Sequence, residues 1–250
     1  MAKNPTPKKK PVASSKVKKA PATLNDEIAT LLGLASDAPL LKFPQRKSAA
    51  KLYELAVLAE ILLTYRAVGG LVQLQQPTKG AANTFAGSPA SADKTKYAWF
   101  ALGSLQDPTE IWAEAWVSVQ FSGLSAMIAH EQGVHVSAVS AKNSLHEIDL
   151  VLLSPNGTRY PSFDQIYAGV TVKHVSILQK ESVREALGFR RELGYLMRGS
   201  EYSVCEWLQP NVPSNPPSPL FLVSSAPKFA SYLGHVDQLG IYPRYMKFPL

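Results

Sequence analysis

Three ionisable side chains in two apolar segments have the types and spacing needed for chemistry on a phosphate. Glu147 and Asp149 interrupt the run LHEIDLVLL at 145–153, and Lys173 interrupts GVTVKHVSI at 169–177. A buried carboxylate is costly unless it is paired, hydrogen-bonded or bound to a metal. Carboxylate oxygens are the ligands that Mg²⁺ prefers, and an ammonium stabilises charge developing on a phosphate. The residues therefore predict either metal-dependent phosphate chemistry or a buried structural ion pair between Asp149 and Lys173.

Two strands must position these groups. Side chains alternate across a strand, which predicts one shared face for each segment. In the strand over 146–153 that face carries Glu147, Asp149, Val151 and Leu153; in the strand over 169–177 it carries Thr171, Lys173, Val175 and Ile177. If the two strands are neighbours, Asp149 and Lys173 lie within a few ångströms of each other.

The other segments predict an α/β domain. Ser48 caps a helix over 48–67 whose apolar face carries Leu52, Leu55, Ala59 and Leu62, and an amphipathic helix spans 180–196. A shorter helix follows a cap at Asn25, and a last one falls within 226–243. Further strands are expected at 71–76, 96–102, 110–121, 133–141 and 220–225. Together they predict one domain over 25–250, with a mixed central sheet flanked by helices.

Four segments carry a resemblance to a known family: KLYELAVLAEIL, SLHEIDLVLL, GVTVKHVSI and KESVREALGFRRELG. A helix with an inward Glu, a strand with Asp, and a next strand with Lys followed by a helix resemble the PD-(D/E)xK nuclease superfamily, which has the restriction-endonuclease-like fold. The resemblance implies that Asp149 binds metal, that Lys173 is the motif lysine, and that Glu54 lines the site, with Glu147 as an auxiliary group. Mg²⁺ or Mn²⁺ would be held by Asp149, Glu147 and the main-chain carbonyl of Val172.

The chain departs from the family pattern at Thr171, which stands where the motif has its second acid. A hydroxyl is a poor metal ligand, so either Glu147, Glu54 or Glu185 takes this role or the site is inactive. The resemblance thus implies a Mg²⁺-dependent DNA endonuclease or nuclease-fold subunit, in bacterial defence or DNA processing. The alternative is an inactive DNA-binding or scaffold protein that keeps the fold.

The basic charge belongs to the N-terminal segment. Seven of the 26 basic residues lie within 1–20, which contains no acid, and this leaves 19 basic against 19 acidic residues in the rest of the chain. Residues 1–24 are rich in Lys, Pro and Ala, a composition typical of disorder. The segment either attracts nucleic acid or acts only as a solubilising tail. The candidate phosphate contacts are Lys8, Lys9, Lys10, Lys16, Lys18 and Lys19, together with Arg184, Arg190 and Arg191 on the helix over 180–196. For the three arginines, a solvated helix face is the equal alternative.

Several classes of protein are excluded by the sequence. The one cysteine, Cys205, allows no internal disulfide and no Cys-rich zinc site. No apolar run reaches the roughly 18 residues of a membrane span, and the Walker A, G-x-S-x-G and G-x-G-x-x-G motifs are absent. We expect a soluble cytoplasmic protein that associates with the nucleoid. In a eukaryote we expect a nuclear protein, with PKKKP as its nuclear localisation signal. The sequence predicts a nucleic acid as partner, with DNA expected and RNA as the open alternative, and no membrane; it identifies no partner subunit.

Overall fold

The structure is a computed structural model that describes residues 23–38, 41–43, 47–133, 145–196, 214–229, 236 and 239–248. Three predictions lie outside these residues. They concern the lysine segment at 1–20, the strand expected at 133–141 from residue 134 onward, and the surroundings of Cys205.

A seven-stranded mixed sheet forms the centre of the fold, in the order β1-β2-β3-β4-β5-β8-β9. Its strands are β1 (Gly70–Gln75), β2 (Trp99–Ser104), β3 (Ile111–Ser122), β4 (Leu145–Leu153), β5 (Ile166–Lys173), β8 (Leu220–Ser224) and β9 (Ile241–Tyr245). Neighbours from β1 to β5 are antiparallel, whereas β5, β8 and β9 are parallel. Two short strands, β6 (Tyr195–Leu196) and β7 (Ser214–Asn215), pair separately.

Helices cover both faces of the sheet. They are α1 (Thr23–Ala35), α2 (Ala49–Ala67), α3 (Leu124–Glu131) and α4 (Lys180–Glu192). One hydrophobic core joins α1 and α2 to one sheet face, including Leu150 and Val170. A second core joins α4 to the other face, including Ile148 and Val151. The predicted α/β class, with a mixed sheet flanked by helices, is confirmed.

Helix α2 matches its prediction closely, and this matters because it carries part of the site. The hydroxyl of Ser48 accepts the main-chain N–H of Lys51 at 3.2 Å, which is the expected N-terminal cap. The predicted apolar face is buried: Leu52, Leu55, Ala59 and Leu62. Within the described residues, no helix combines the length and apolar character of a membrane span.

Other boundaries differ from the prediction. Helix α1 begins at Thr23, so Asn25 lies inside it, and its side-chain oxygen accepts the N–H of Lys47 instead of capping the helix. Strand β5 ends at Lys173, which leaves Val175 and Ile177 beyond it and exposed. Four elements were not predicted: the two-residue strands β6 and β7; α3, whose eight residues are too few to give a clear period; and β9, which forms where a final helix and tail were expected. Strand β9 is stabilised by parallel pairing with β8, a contact that local sequence does not reveal.

Candidate active site

Asp149 lies where strands β4 and β5 separate. Their last paired residues are Leu150 and Val170. One residue further, the Oδ2 atom of Asp149 accepts the main-chain N–H of Val172 at 2.7 Å and lies 3.4 Å from the hydroxyl oxygen of Thr171, which can donate to it. The carboxylate thus replaces a main-chain acceptor at the point where the ladder stops. This contact accounts for a charged group within an apolar strand.

The neighbouring strand is interrupted at the same level. Val117 pairs with Leu150 and Val119 with Ile148, but Ser118 and Asp149 between them are unpaired. Ser118 has a φ of 51°, in the left-handed region that a non-glycine residue rarely adopts. The interruption turns the side chains of both strands, because Val117 and Leu150 lie in the core on the α2 side, whereas Val119 and Ile148 lie in the other.

Because the side chains change sides at Ser118 and Asp149, the prediction that Glu147, Asp149, Val151 and Leu153 share one face of β4 is wrong. Val151 and Leu153 lie in the core on the α4 side. Glu147 and Asp149 instead lie near α2, close enough to Lys51 for its ammonium to lower the pKa of both carboxyl groups. A strict alternation along 146–153 would have placed all four side chains together. The two acids therefore form a polar group beside α2, separate from the apolar residues that follow them.

Helix α2 contributes Lys51 and Glu54, one turn apart. Lys51 is only 5% exposed, and its Nζ donates to the hydroxyl oxygen of Ser118 at 2.6 Å and to Oε2 of Glu54. Ser118 also lies close enough to Glu147 to lower the pKa of that carboxyl group. Direct contacts thus join Glu54, Lys51 and Ser118, with Glu147 beside them.

The carboxyl groups of this cluster hold their protons more tightly than usual. The pKa of Glu54 is raised to about 7, because burial and, to a smaller extent, the nearby Asp149 and Glu147 raise it more than the charge and hydrogen bond of Lys51 lower it. Burial also raises the pKa of Glu147, with Asp149 adding to the effect. For Asp149, burial raises the pKa, while the Val172 N–H and then the charge of Lys173 oppose the rise. Desolvated acids lie close together here, as in many active sites.

Lys173 is near Asp149 but forms its ion pair elsewhere. Its Nζ lies 2.8 Å from Oε2 of Glu185 on α4, and the Glu185 side chain is 44% exposed. The buried structural ion pair between Asp149 and Lys173, the alternative raised by the sequence, is therefore not the arrangement found. The lysine is tied to a partly exposed partner, which it can leave at low cost.

The oxygen atoms of this cluster are of the kind that bind a hard cation. Asp149, Glu147 and Glu54 offer carboxylate oxygens, as Mg²⁺ requires. The carbonyl of Val172 points to the same neighbouring strand as its N–H, which faces Asp149, since both groups of one residue face one neighbour. Among the described residues, however, no three Asp, Glu, His or Cys side chains are already arranged as a metal-binding group. Thr171 is buried and, as its residue type indicates, offers only a hydroxyl.

The candidate nucleic-acid contacts are only partly described. Arg184 and Arg191 are exposed on α4, and Arg184 lies 3.9 Å from Glu181. Arg190 is 2% exposed and donates to the Ser214 hydroxyl and the Leu239 carbonyl, so its predicted phosphate contact is wrong. The six lysines of the N-terminal segment lie outside the described residues.

Two members of the cluster, Lys51 and Ser118, were missed by the sequence reasoning. Lys51 stands three residues before Glu54 on the same helix, and this spacing was a usable signal for their contact. For Ser118 the sequence holds no comparable signal, because nothing in EIWAEAWVSVQF indicates a left-handed residue within the strand.

An apolar cavity of about 590 Å³ lies beside the other half of α2 and is distinct from the cluster. Its lining includes Leu58, Ile61, Leu102, Trp112 and Phe221. The ionisable groups described above do not line it.

No protein-family model, curated protein or solved structure matches this chain. Its function is therefore inferred from the residues of the cluster and from their geometry.

Proposed function

We propose that the protein is a Mg²⁺-dependent DNA endonuclease, or a nuclease subunit, with the restriction-endonuclease-like fold. One observation supports the proposal: α2 and β4 bring Glu54, Glu147 and Asp149 close together where β4 and β5 separate, and Lys173 of β5 lies near enough to lower the pKa of Asp149 and Glu147. A helix with an inward Glu, a strand with Asp, and an adjacent strand with Lys that leads to a helix are the features that suggested the PD-(D/E)xK superfamily. Their proximity supports that resemblance.

Asp149, Glu147 and the Val172 carbonyl would hold the Mg²⁺, and Mn²⁺ would serve equally. When bound, the metal neutralises the phosphate and lowers the pKa of a water molecule. The Val172 N–H fixes one oxygen of Asp149, which orients the carboxylate without occupying its other oxygen. A ligand held in this way is already oriented before the metal arrives.

Two further groups of the chain would act on the substrate. Lys173 would leave Glu185 to orient the attacking water and to bind a phosphate oxygen, a step that the partly exposed position of Glu185 makes inexpensive. Glu54 has a pKa of about 7, so near neutral pH it can accept a proton from the water and later release it.

DNA is the proposed substrate because of the charge distribution. Seven lysines lie in residues 1–20, whereas the rest of the chain has equal numbers of basic and acidic residues, 19 of each. The N-terminal segment would attract the phosphate backbone without reading its sequence. Arg184 and Arg191, exposed on the helix that pairs with Lys173, would add contacts. Such a protein would act at the nucleoid, or in the nucleus of a eukaryote.

One observation favours a second candidate function, an inactive DNA-binding or scaffold protein with the same fold. Thr171, 1% exposed, fills the position of the second acid and donates to Asp149 instead of offering a carboxylate. In that case the purified protein would bind DNA but would not cut it with either Mg²⁺ or Mn²⁺.

The test is cleavage of supercoiled and linear DNA, with metal and with chelator. Asp149→Asn keeps an oxygen for the Val172 N–H and Lys173→Ala removes only a partly exposed ion pair, so both variants should fold. Each should lower the cleavage rate by about 100-fold or more, because each removes charge used in the transition state. The control is Lys180→Ala, which removes an exposed lysine at the start of α4 and should cut normally. Full activity in both variants would refute the assignment.

A further inference from the structure

Lys51 is the buried charge that the proposed reaction leaves without a role. It is 5% exposed and lies on α2 among Glu54, Glu147 and Asp149, all carboxyl groups whose pKa values its ammonium lowers. A lysine is almost never buried this completely unless it is paired. Two acceptors hold it, Glu54 and the Ser118 hydroxyl oxygen.

Lys51 contacts one of the three acids directly. It donates to Glu54 and, at 2.6 Å, to the Ser118 hydroxyl oxygen, and it lies near enough to Glu147 and Asp149 to lower the pKa of both. Asp149 is held separately, by the Val172 N–H at 2.7 Å. The ammonium therefore offsets negative charge throughout the cluster, most closely at Glu54, while the Val172 N–H holds one oxygen of Asp149.

The Lys51–Ser118 contact does not form a nucleophile and its base. Lys51 donates to Ser118 and is ion-paired with Glu54, so it is held as an ammonium with no lone pair to accept a proton. The arrangement instead fixes a positive charge among acids.

We propose that Lys51 is a positioning residue that serves as the internal cation of the site: it offsets part of the negative charge of Glu54, Glu147 and Asp149, so that a divalent metal held by Asp149 and Glu147 binds more weakly than it would without the ammonium. This inference rests on the proposed function and extends it. Because position 171 is Thr, the site has one carboxylate fewer than the family pattern. Because Lys51 already supplies one positive charge, the remaining carboxylates need less positive charge from a bound metal. The protein would hold its carboxylates together before any metal binds.

The test is Mn²⁺ binding by titration calorimetry and thermal unfolding with and without Mn²⁺, on the full chain. Lys51→Met leaves three acids without their ammonium, so its Mn²⁺ affinity should rise about tenfold or more above wild type, and Mn²⁺ should raise its melting temperature more than it raises that of the wild type. The matched control is Lys94→Met, which removes an ammonium 2.6 Å from Glu114, a buried acid outside the cluster. That variant should keep the wild-type affinity.

A double variant separates charge from packing. The double variant Lys51→Met, Glu54→Gln has the same methionine as the single variant but the net charge of the wild-type cluster. Its gain in Mn²⁺ affinity over wild type should therefore disappear. A gain that persists in the double variant would overturn the proposal. So would a folded Lys51→Met protein with unchanged affinity, or an unfolded one that Mn²⁺ does not restore.

The readout is independent of cleavage. A wild-type protein that cuts no DNA, together with a Lys51→Met variant that gains Mn²⁺ binding, would refute the nuclease and support the internal cation. Metal-dependent cleavage by the wild type, together with an unchanged Mn²⁺ affinity in Lys51→Met, would support the nuclease and refute the internal cation.

Discussion

Asp149 and Glu54 are both carboxylates of the cluster, but their neighbours differ in a way that suits different tasks. Asp149 accepts a main-chain N–H from β5 and lies at the opening between two strands. Glu54 contacts the Lys51 ammonium from within the same helix, and its pKa of about 7 lies near physiological pH. In the proposed function, Asp149 would bind the metal and Glu54 would exchange a proton with water.

The raised pKa of Glu54 makes stability depend on pH in a defined direction. The pKa of Glu54 rises from 4.5 in the unfolded chain to about 7 in the folded protein. The contribution of Glu54 to the free energy of unfolding is therefore largest below about pH 4.5 and is lost as the pH rises through 7. Glu54→Gln cannot ionise. Between pH 5 and 8 the variant should therefore gain up to about 3 kcal/mol of unfolding free energy relative to wild type.

Urea unfolding at both pH values measures this gain. Glu60→Gln, a change at an exposed acid on the same helix, is the control and should follow the wild type. Parallel pH dependence of Glu54→Gln and wild type would contradict the assigned pKa.

At the scale of elements, the site depends on the interruption shared by β3 and β4. Ser118 and Asp149 are the unpaired residues at one level of the ladder, and the side chains on both strands change sides there. A regular ladder would direct Ser118 and Val117 to opposite faces. Because of the left-handed Ser118, the hydroxyl instead reaches Lys51 on the α2 side.

Substitutions at Ser118 separate its hydrogen bond from its backbone conformation. Ser118→Ala deprives the Lys51 ammonium of an acceptor and should cost about 1–3 kcal/mol of unfolding free energy. Ser118→Gly loses the same hydroxyl but relieves the left-handed conformation, which costs other residues roughly 1 kcal/mol. In urea unfolding the glycine variant should therefore be more stable than the alanine variant. A glycine variant as unstable as alanine, or less stable, would show that the φ of Ser118 carries no strain.

The elements that bear the site were predictable to different degrees. The Ser48 cap and the apolar spacing of Leu52, Leu55 and Leu62 predicted α2, and the apolar run at 145–153 predicted β4. The sheet face on which each β4 side chain lies could not be predicted. Period-2 alternation assumes an unbroken ladder, and nothing in the sequence indicates the left-handed conformation of Ser118. Lys51 was missed because a helical lysine is usually solvated, and Glu185 as the partner of Lys173 depends on how α4 packs on the sheet.

At the scale of the whole molecule, the proposed division is between an N-terminal segment that brings DNA close and a folded body that does chemistry. The segment at 1–20 has seven lysines and no acid, and the body has no net charge from its Lys, Arg, Asp and Glu residues. Long-range attraction to DNA would then come mainly from residues 1–20. Any specificity would reside in the body.

Deleting residues 1–20 tests this division. The melting temperature should barely change, whereas DNA affinity should fall and its salt dependence should weaken. Seven phosphate contacts would change the log–log salt slope by at most roughly 6, and a segment making fewer contacts should change it by about 2–4. The measurement is binding to one duplex at several salt concentrations, full-length against truncated. Superimposable curves would mean that the segment makes no contribution to binding.

The most direct test of the account is whether Asp149 holds a divalent metal. Mn²⁺ titration, followed by the electron paramagnetic resonance signal of free Mn²⁺, would compare wild type, Asp149→Asn and the exposed-acid control Asp164→Asn. We predict one Mn²⁺ site in wild type and in Asp164→Asn, with affinity about tenfold or more weaker in Asp149→Asn, a loss of about 1.4 kcal/mol or more. Equal Mn²⁺ affinity in a folded Asp149→Asn protein would contradict the account.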